Sequence, residues 1–137
     1  MKTLVFDGKG AVLGRLGAKV SKELLKGNSV YIINAEEVVI SGKKDQIVEK
    51  IRRKRRMGSG GSLKGPKYIR QSDRLLKRMI RGMLPWEKTK GREAYKRLKC
   101  YVGNGDLKEE DLKNIQEVTF NKPLKTTTLK EVTGALQ

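Results

Sequence analysis

Apolar and polar positions alternate along the first forty residues so as to predict a strand, a helix and two further strands. Thr3-Leu4-Val5-Phe6 is a short β-prone run closed by Asp7-Gly8. From Leu13 to Lys26 apolar residues return at Leu13, Leu16, Val20 and Leu24, the spacing of one helix face, and Gly27-Asn28 supplies the stop. Val30-Tyr31-Ile32-Ile33 is continuously apolar, as a strand covered on both faces of a parallel sheet should be. Val38-Val39-Ile40 predicts a shorter strand before the Ser41-Gly42 turn. Strands alternating with helices imply an α/β fold with right-handed crossovers.

The pattern changes in the middle of the chain. A helix over Lys44–Met57 begins with an apolar face at Ile47, Val48 and Ile51, but Arg52, Arg53, Lys54, Arg55 and Arg56 leave its second half no core face. That half is expected to project beyond the domain, with only solvent or an anion to receive it. A Gly/Ser loop (58–62) and a basic segment carrying Lys64, Lys67 and Arg70 follow. The next helix, Asp73–Leu84 with Ser72 as N-cap, has two faces. Leu75, Leu76, Met79, Ile80 and Met83 fall on one, and Arg74, Lys77, Arg78 and Arg81 on the other at i, i+3, i+4, i+7 spacing. A merely solvated helix face would carry interspersed acids for i,i+4 pairing, and none occurs between Asp73 and Glu87. Pro85 ends the helix and Trp86 opens a linker. A basic helix over Gly91–Leu98 then exposes Arg92, Lys96 and Arg97, and Lys99–Val102 reads as a strand. Beyond it come an acidic stretch (Asp106–Asp111), a strand-like Glu117–Phe120, and a capping box, Thr128 to Glu131, opening a short terminal helix.

Charge sharpens this picture. Residues 50–99 hold 19 Lys and Arg against Asp73, Glu87 and Glu93, a net of +16, whereas residues 1–49 net +2 and residues 100–137 net −1. Such a concentration repels itself unless a polyanion neutralises it, which points to nucleic acid. One domain, 1–137, is expected, with a basic RNA-binding region at 50–99 and an acidic or mixed tail at 104–137. Separated cationic surfaces joined by flexible loops suit a folded RNA better than one DNA groove.

Catalytic chemistry finds no foothold. Histidine is absent, removing the commonest general base and metal ligand. Cys100 is the only cysteine, so no internal disulfide or Cys-rich zinc site can form, and it reads as a small buried hydrophobe. Gly8-x-Gly10 between a strand and a helix resembles a dinucleotide fingerprint, with Glu36 near the end of the next strand. Gly14, however, stands four residues after Gly10 where three are needed, so the glycines are read as a tight turn and close helix–sheet packing. Glu36-Glu37 could hold a magnesium ion, but adjacent acids at a strand end are usually solvated. No enzyme activity, metal or cofactor is expected. The N-terminal residues lack the long apolar run of a signal peptide and no segment reaches membrane-spanning length, so a cytoplasmic protein is expected.

Arg78-Met79-Ile80-Arg81-Gly82-Met83-Leu84-Pro85, then Lys88-Thr89-Lys90-Gly91-Arg92 and Arg97-Leu98-Lys99-Cys100-Tyr101-Val102-Gly103, resemble the large-subunit ribosomal protein thirteen family. Leu13-Gly14-Arg15-Leu16-Gly17, Ile33-Asn34-Ala35 and Ser41-Gly42-Lys43-Lys44 are similar to its first helix, second strand and following turn. The resemblance spans roughly residues 3–103 and is nearer the short archaeal branch than the bacterial one. It implies a three-layer α/β/α fold around a mostly parallel sheet of about four strands, with basic helical and loop extensions. It further implies a non-catalytic structural constituent of the large ribosomal subunit that binds its rRNA and supports assembly and translation. Arg78, Arg81 and Gly82 are then expected at the RNA, with Met83 and Leu84 packing inward. Arg15, Lys43, Lys44, Lys88 and Lys90 join the cations above as RNA-binding candidates. Neighbouring ribosomal proteins are the expected further partners, with no membrane, small-molecule substrate or homo-oligomer. The competing reading is a free-standing chromosomal or regulatory nucleic-acid-binding protein.

Overall fold

Strands β1 (Thr3–Asp7) and β2 (Ser29–Ile33) lie parallel, from Thr3 opposite Ser29 to Asp7 opposite Ile33. A short strand joins each outer side, β4 (Leu98–Cys100) beside β2 and β5 (Ile115–Glu117) beside β1. The order β4-β2-β1-β5, parallel throughout, is the expected α/β sheet. The computed structural model describes residues 2–58, 60–61, 65, 69–105, 107, 115–117 and 125–136.

Apolar runs form the strands because helices cover them. Phe6, Val30, Ile32 and Leu98 pack with Leu16, Val20 and Leu24 of α1 (Leu13–Leu25) and Leu75, Leu76 and Ile80 of α3 (Ser72–Arg81) in one largely aliphatic core. α4 (Thr89–Lys96) contributes Ala94 and lies against α1. Among the described residues no helix is long and apolar enough to cross a membrane.

The glycine-rich turn after β1 is explained by packing. A side chain on Gly8 would collide with the Ile33 and Asn34 carbonyls and Val38, and Gly10 has φ 71°. Gly14, by contrast, has open space around it, so the close approach is made at Gly8, against the end of β2 and the segment that follows it, and not between helix and sheet at Gly14. The C-terminal strand ends, where open α/β sheets hold ligands, are stitched by the chain itself. The Asn34 side-chain amide donates to Asp7 Oδ1 (3.0 Å), the Asn34 N–H to the Gly103 carbonyl (2.9 Å) and the Gly103 N–H to Glu36 Oε2 (3.1 Å). Glu36 is thereby committed to holding a loop.

One expected strand is present but lies apart from the main sheet, and one expected projection needs correction. The strand at Val38–Ile40 is β3 (Val39–Ser41), which stands outside the main sheet. It pairs antiparallel with β6 (Thr126–Thr128), Val39 opposite Thr128. The projecting half of α2 (Lys44–Arg56) is also engaged. Helix α5 (Leu129–Leu136) packs on α2, burying Val132 and Leu136 with Val48 and Ile51. Arg52 donates to the Ala135 carbonyl (2.7 Å) and Arg55 to that of Leu136 (3.3 Å). Cations at a helix C-terminus satisfy carbonyls that have no intrahelical partner. The segment read as a tail thus helps to bury the core. The capping box is present in half, since Thr128 Oγ1 accepts from the Glu131 N–H (3.3 Å). Residues 108–111 of the acidic stretch and 118–120 of the strand-like run lie outside the described residues.

Candidate nucleic-acid interface

Helix α3 realises its two-faced sequence. Leu75, Leu76 and Ile80 are buried, while Arg74 and Arg78 are exposed and Lys77 and Arg81 half-exposed. None of these four cations forms an ion pair with a carboxylate among the described residues. The helix is shorter than expected and ends at Arg81. Its N-cap is Gln71, not Ser72, whose hydroxyl instead lies 3.0 Å from that of Thr133 in α5. Past the helix end Leu84 is buried, but Met83 does not pack inward as expected. It is 39% exposed and lies over Gly17 of α1, since the chain turns out of helical register at Gly82.

The turn into α4 carries an aromatic–cation ladder. The Arg81 guanidinium sits 4.0 Å from the Trp86 ring centroid, Trp86 meets Tyr95 edge-on at 5.1 Å, and Lys77 Nζ lies 4.8 Å from the Tyr95 ring. Each cation faces the negative side of a π system. Burial pushes the Tyr95 hydroxyl pKa up, and the Arg78 and Arg81 charges oppose that shift. Arg92 Nε donates to the Trp86 carbonyl (3.0 Å), and Gly91 abuts the Pro85 carbonyl so closely that no Cβ fits. The glycine therefore permits α4 to press against the Pro85–Trp86 turn.

Two recesses share Arg78. One, of about 500 Å³, is lined by Arg78, Arg81, Gly82 and residues 84–88, including Lys88. The other, of about 340 Å³, has Leu13, Ile40, Ile47 and Met79 in its wall and Lys50, Lys54 and Arg78 among its lining cations. The fold thus brings Lys54 of α2, Arg78 and Arg81 of α3, and Lys88 of the linker into one neighbourhood.

The other candidates are dispersed. Arg15, Lys43, Lys44, Arg53, Arg56, Arg70, Lys90 and Lys96 are exposed, and Lys64 and Lys67 lie outside the described residues. Arg52 and Arg55 cap α5, and Arg92 fastens the Trp86 turn. Arg97, expected to be exposed, is half-buried and donates to the Leu24 carbonyl at the end of α1 (2.7 Å). Burial pushes the Cys100 thiol up to about 12, as befits a residue packed against the core. Among the described residues no cluster of three acidic or cysteine side chains could hold a metal ion.

The family model for ribosomal protein L13 matches residues 1–106. The chain belongs to the ribosomal protein L13 family. Curated members similar to it are named large ribosomal subunit protein uL13. That of Methanocaldococcus jannaschii is 41% identical over 133 residues, covering 96% of this chain and 97% of the relative. That of Archaeoglobus fulgidus is 39% identical over 136 residues, covering 96% and 86%. A Methanosarcina barkeri member is 47% identical over 100 residues, covering 72% and 70%. β6 and α5 lie beyond the L13 family model, yet the M. jannaschii alignment covers nearly the whole chain. Sequence reasoning missed the part Trp86 and Tyr95 play in the turn between α3 and α4. Aromatics are only 5% of the chain, and residues nine apart signal nothing until α4 folds back.

Proposed function

We propose that this protein is a non-catalytic structural constituent of the large ribosomal subunit that binds its rRNA and supports subunit assembly and translation. The face of α3 carries this reading: four cations without carboxylate partners among the described residues stand opposite three buried aliphatic residues. A helix held so firmly by one side presents the other as a rigid cationic surface, and arginine's planar fork suits phosphate. Family membership and the printed names of the relatives point the same way.

Within residues 50–99, Arg74, Lys77, Arg78, Arg81 and Lys88 are proposed as the central RNA contacts, with Gly82 permitting close approach. Lys54, Arg53, Arg56, Arg70, Lys90 and Lys96 extend the surface, and Arg15, Lys43 and Lys44 are outlying contacts. Neighbouring ribosomal proteins are the further partners, in the cytoplasmic ribosome. The test is sedimentation of tagged protein through a ribosome gradient, beside a variant with Arg74, Lys77, Arg78 and Arg81 all changed to Glu. The wild type should travel with large subunits and the variant should stay at the top while keeping its circular dichroism. Incorporation of the variant would refute the assignment of α3. A wild type bound equally to any duplex and absent from subunits would instead indicate a free-standing nucleic-acid-binding protein.

A further inference from the structure

Trp86 is the chain's single tryptophan, and neither core cluster includes it. Its half-buried ring lies beneath the Arg81 guanidinium at the wall of the 500 Å³ recess, with Tyr95 against it edge-on. We infer that this recess receives an unpaired base of the bound RNA, stacked on the Trp86–Arg81 pair, with the flanking phosphates on Arg78 and Lys88. The inference rests on the proposed rRNA-binding function and adds a base-binding step to it.

Three observations carry it. The recess falls within the size range of small-ligand pockets, which begins at roughly 300 Å³, so one nucleoside fits. Its walls are mixed: Leu84, Pro85 and Trp86 offer apolar and aromatic surface that a phosphate would not use, and Arg78, Arg81 and Lys88 supply charge. Glu87, also in the lining, repels a phosphate but can accept a hydrogen bond from a base amino group. The platform is moreover held before RNA arrives. The Arg92 bond to the Trp86 carbonyl and the Gly91–Pro85 contact fix the turn, and the indole holds the guanidinium, so stacking immobilises few new side chains. Aromatic rings and guanidinium planes are the surfaces on which splayed RNA bases stack.

The lone tryptophan supplies the assay without any variant. The full chain is titrated with large-subunit rRNA and separately with inorganic polyphosphate, a polyanion without bases, while acrylamide quenching reports access to Trp86 and filter binding reports complex formation. Ribosomal RNA should shield Trp86 from acrylamide and polyphosphate should not. Equal shielding by polyphosphate, or tight rRNA binding with Trp86 still accessible, overturns the base site and leaves the rRNA-binding function standing. Absence of rRNA binding overturns that function and the base site with it. In a second measurement Trp86→Ala should weaken rRNA binding about 5- to 100-fold at fixed salt, with the salt slope unchanged, while Trp86→Phe keeps most of the affinity. Wild-type affinity in Trp86→Ala would also overturn the base site.

Discussion

Arg97→Ala separates two kinds of cation that look alike in sequence. The Arg97 guanidinium donates to the Leu24 carbonyl at 2.7 Å, and it is a positive charge at the C-terminal end of α1. A hydrogen bond to a charged group contributes about 1.5–3 kcal/mol, and a cation near a helix C-terminus about 0.3–1 kcal/mol. Part of this is offset, because Arg97 Nε is buried without a partner among the described residues and truncation removes that penalty too. The net expected loss is about 1–2 kcal/mol. For a chain of this length that corresponds to a melting temperature lower by roughly 4–8 °C, read by circular dichroism. Filter binding of rRNA over a salt series supplies the other half of the assay. Each phosphate contact contributes about 0.7–0.9 to the slope of log affinity against log salt. Arg97→Ala should leave that slope unchanged, whereas Arg78→Ala should lower it by about one contact and leave stability within about 0.5 kcal/mol. An Arg97→Ala protein that melts like wild type but loses a phosphate's worth of salt slope would refute the assignment.

Gly91→Ala should lower stability by about 1–3 kcal/mol in urea unfolding, because its Cβ meets the Pro85 backbone. Gly17→Ala should cost far less, since its Cβ meets the movable end of the Met83 side chain; equal losses would contradict the packing described. Ile80→Ala should cost about 2–5 kcal/mol, as expected for a fully buried aliphatic residue. Cys100 should resist alkylation near pH 9, where an ordinary thiol is half ionised, until the protein is unfolded. Because the folded thiol titrates near 12 and the unfolded one near 9, its contribution to stability is complete below pH 9 and is lost as pH rises from 9 to 12. Rapid labelling of the native protein would show that the thiol is accessible.

Element types were largely legible because one-face periodicity survives folding. Leu16, Val20 and Leu24 are fully buried where their spacing put them, as are Leu75, Leu76 and Ile80. Pairings at long range were not legible. Val38-Val39-Ile40 looks like any buried strand, and its partner, Thr126–Thr128, is polar and follows some eighty-five residues later. The same distance hid the role of Arg52 and Arg55, since a basic run specifies a need for anions or carbonyls without saying which. Arg78 and Arg97 are chemically identical in the sequence, and only the position of the α1 terminus tells them apart. Met83 was misplaced because helical spacing was extended past Gly82, where the chain leaves the helix.

The strand order β4-β2-β1-β5 also dictates a sequence of events during synthesis. β1 and β2 can pair as soon as residue 33 is clear of the ribosome, yet the strand that covers the other edge of β1 ends at residue 117. At roughly 5–20 residues per second the growing chain spends about 4–17 s with the backbone amides and carbonyls of Val5–Asp7 open to any passing strand. All of the cationic middle emerges in that interval. Its mutual repulsion would hold nascent chains apart until β5 arrives to cover that edge. The charge concentrated in residues 50–99 would therefore also guard the unfinished sheet against its siblings.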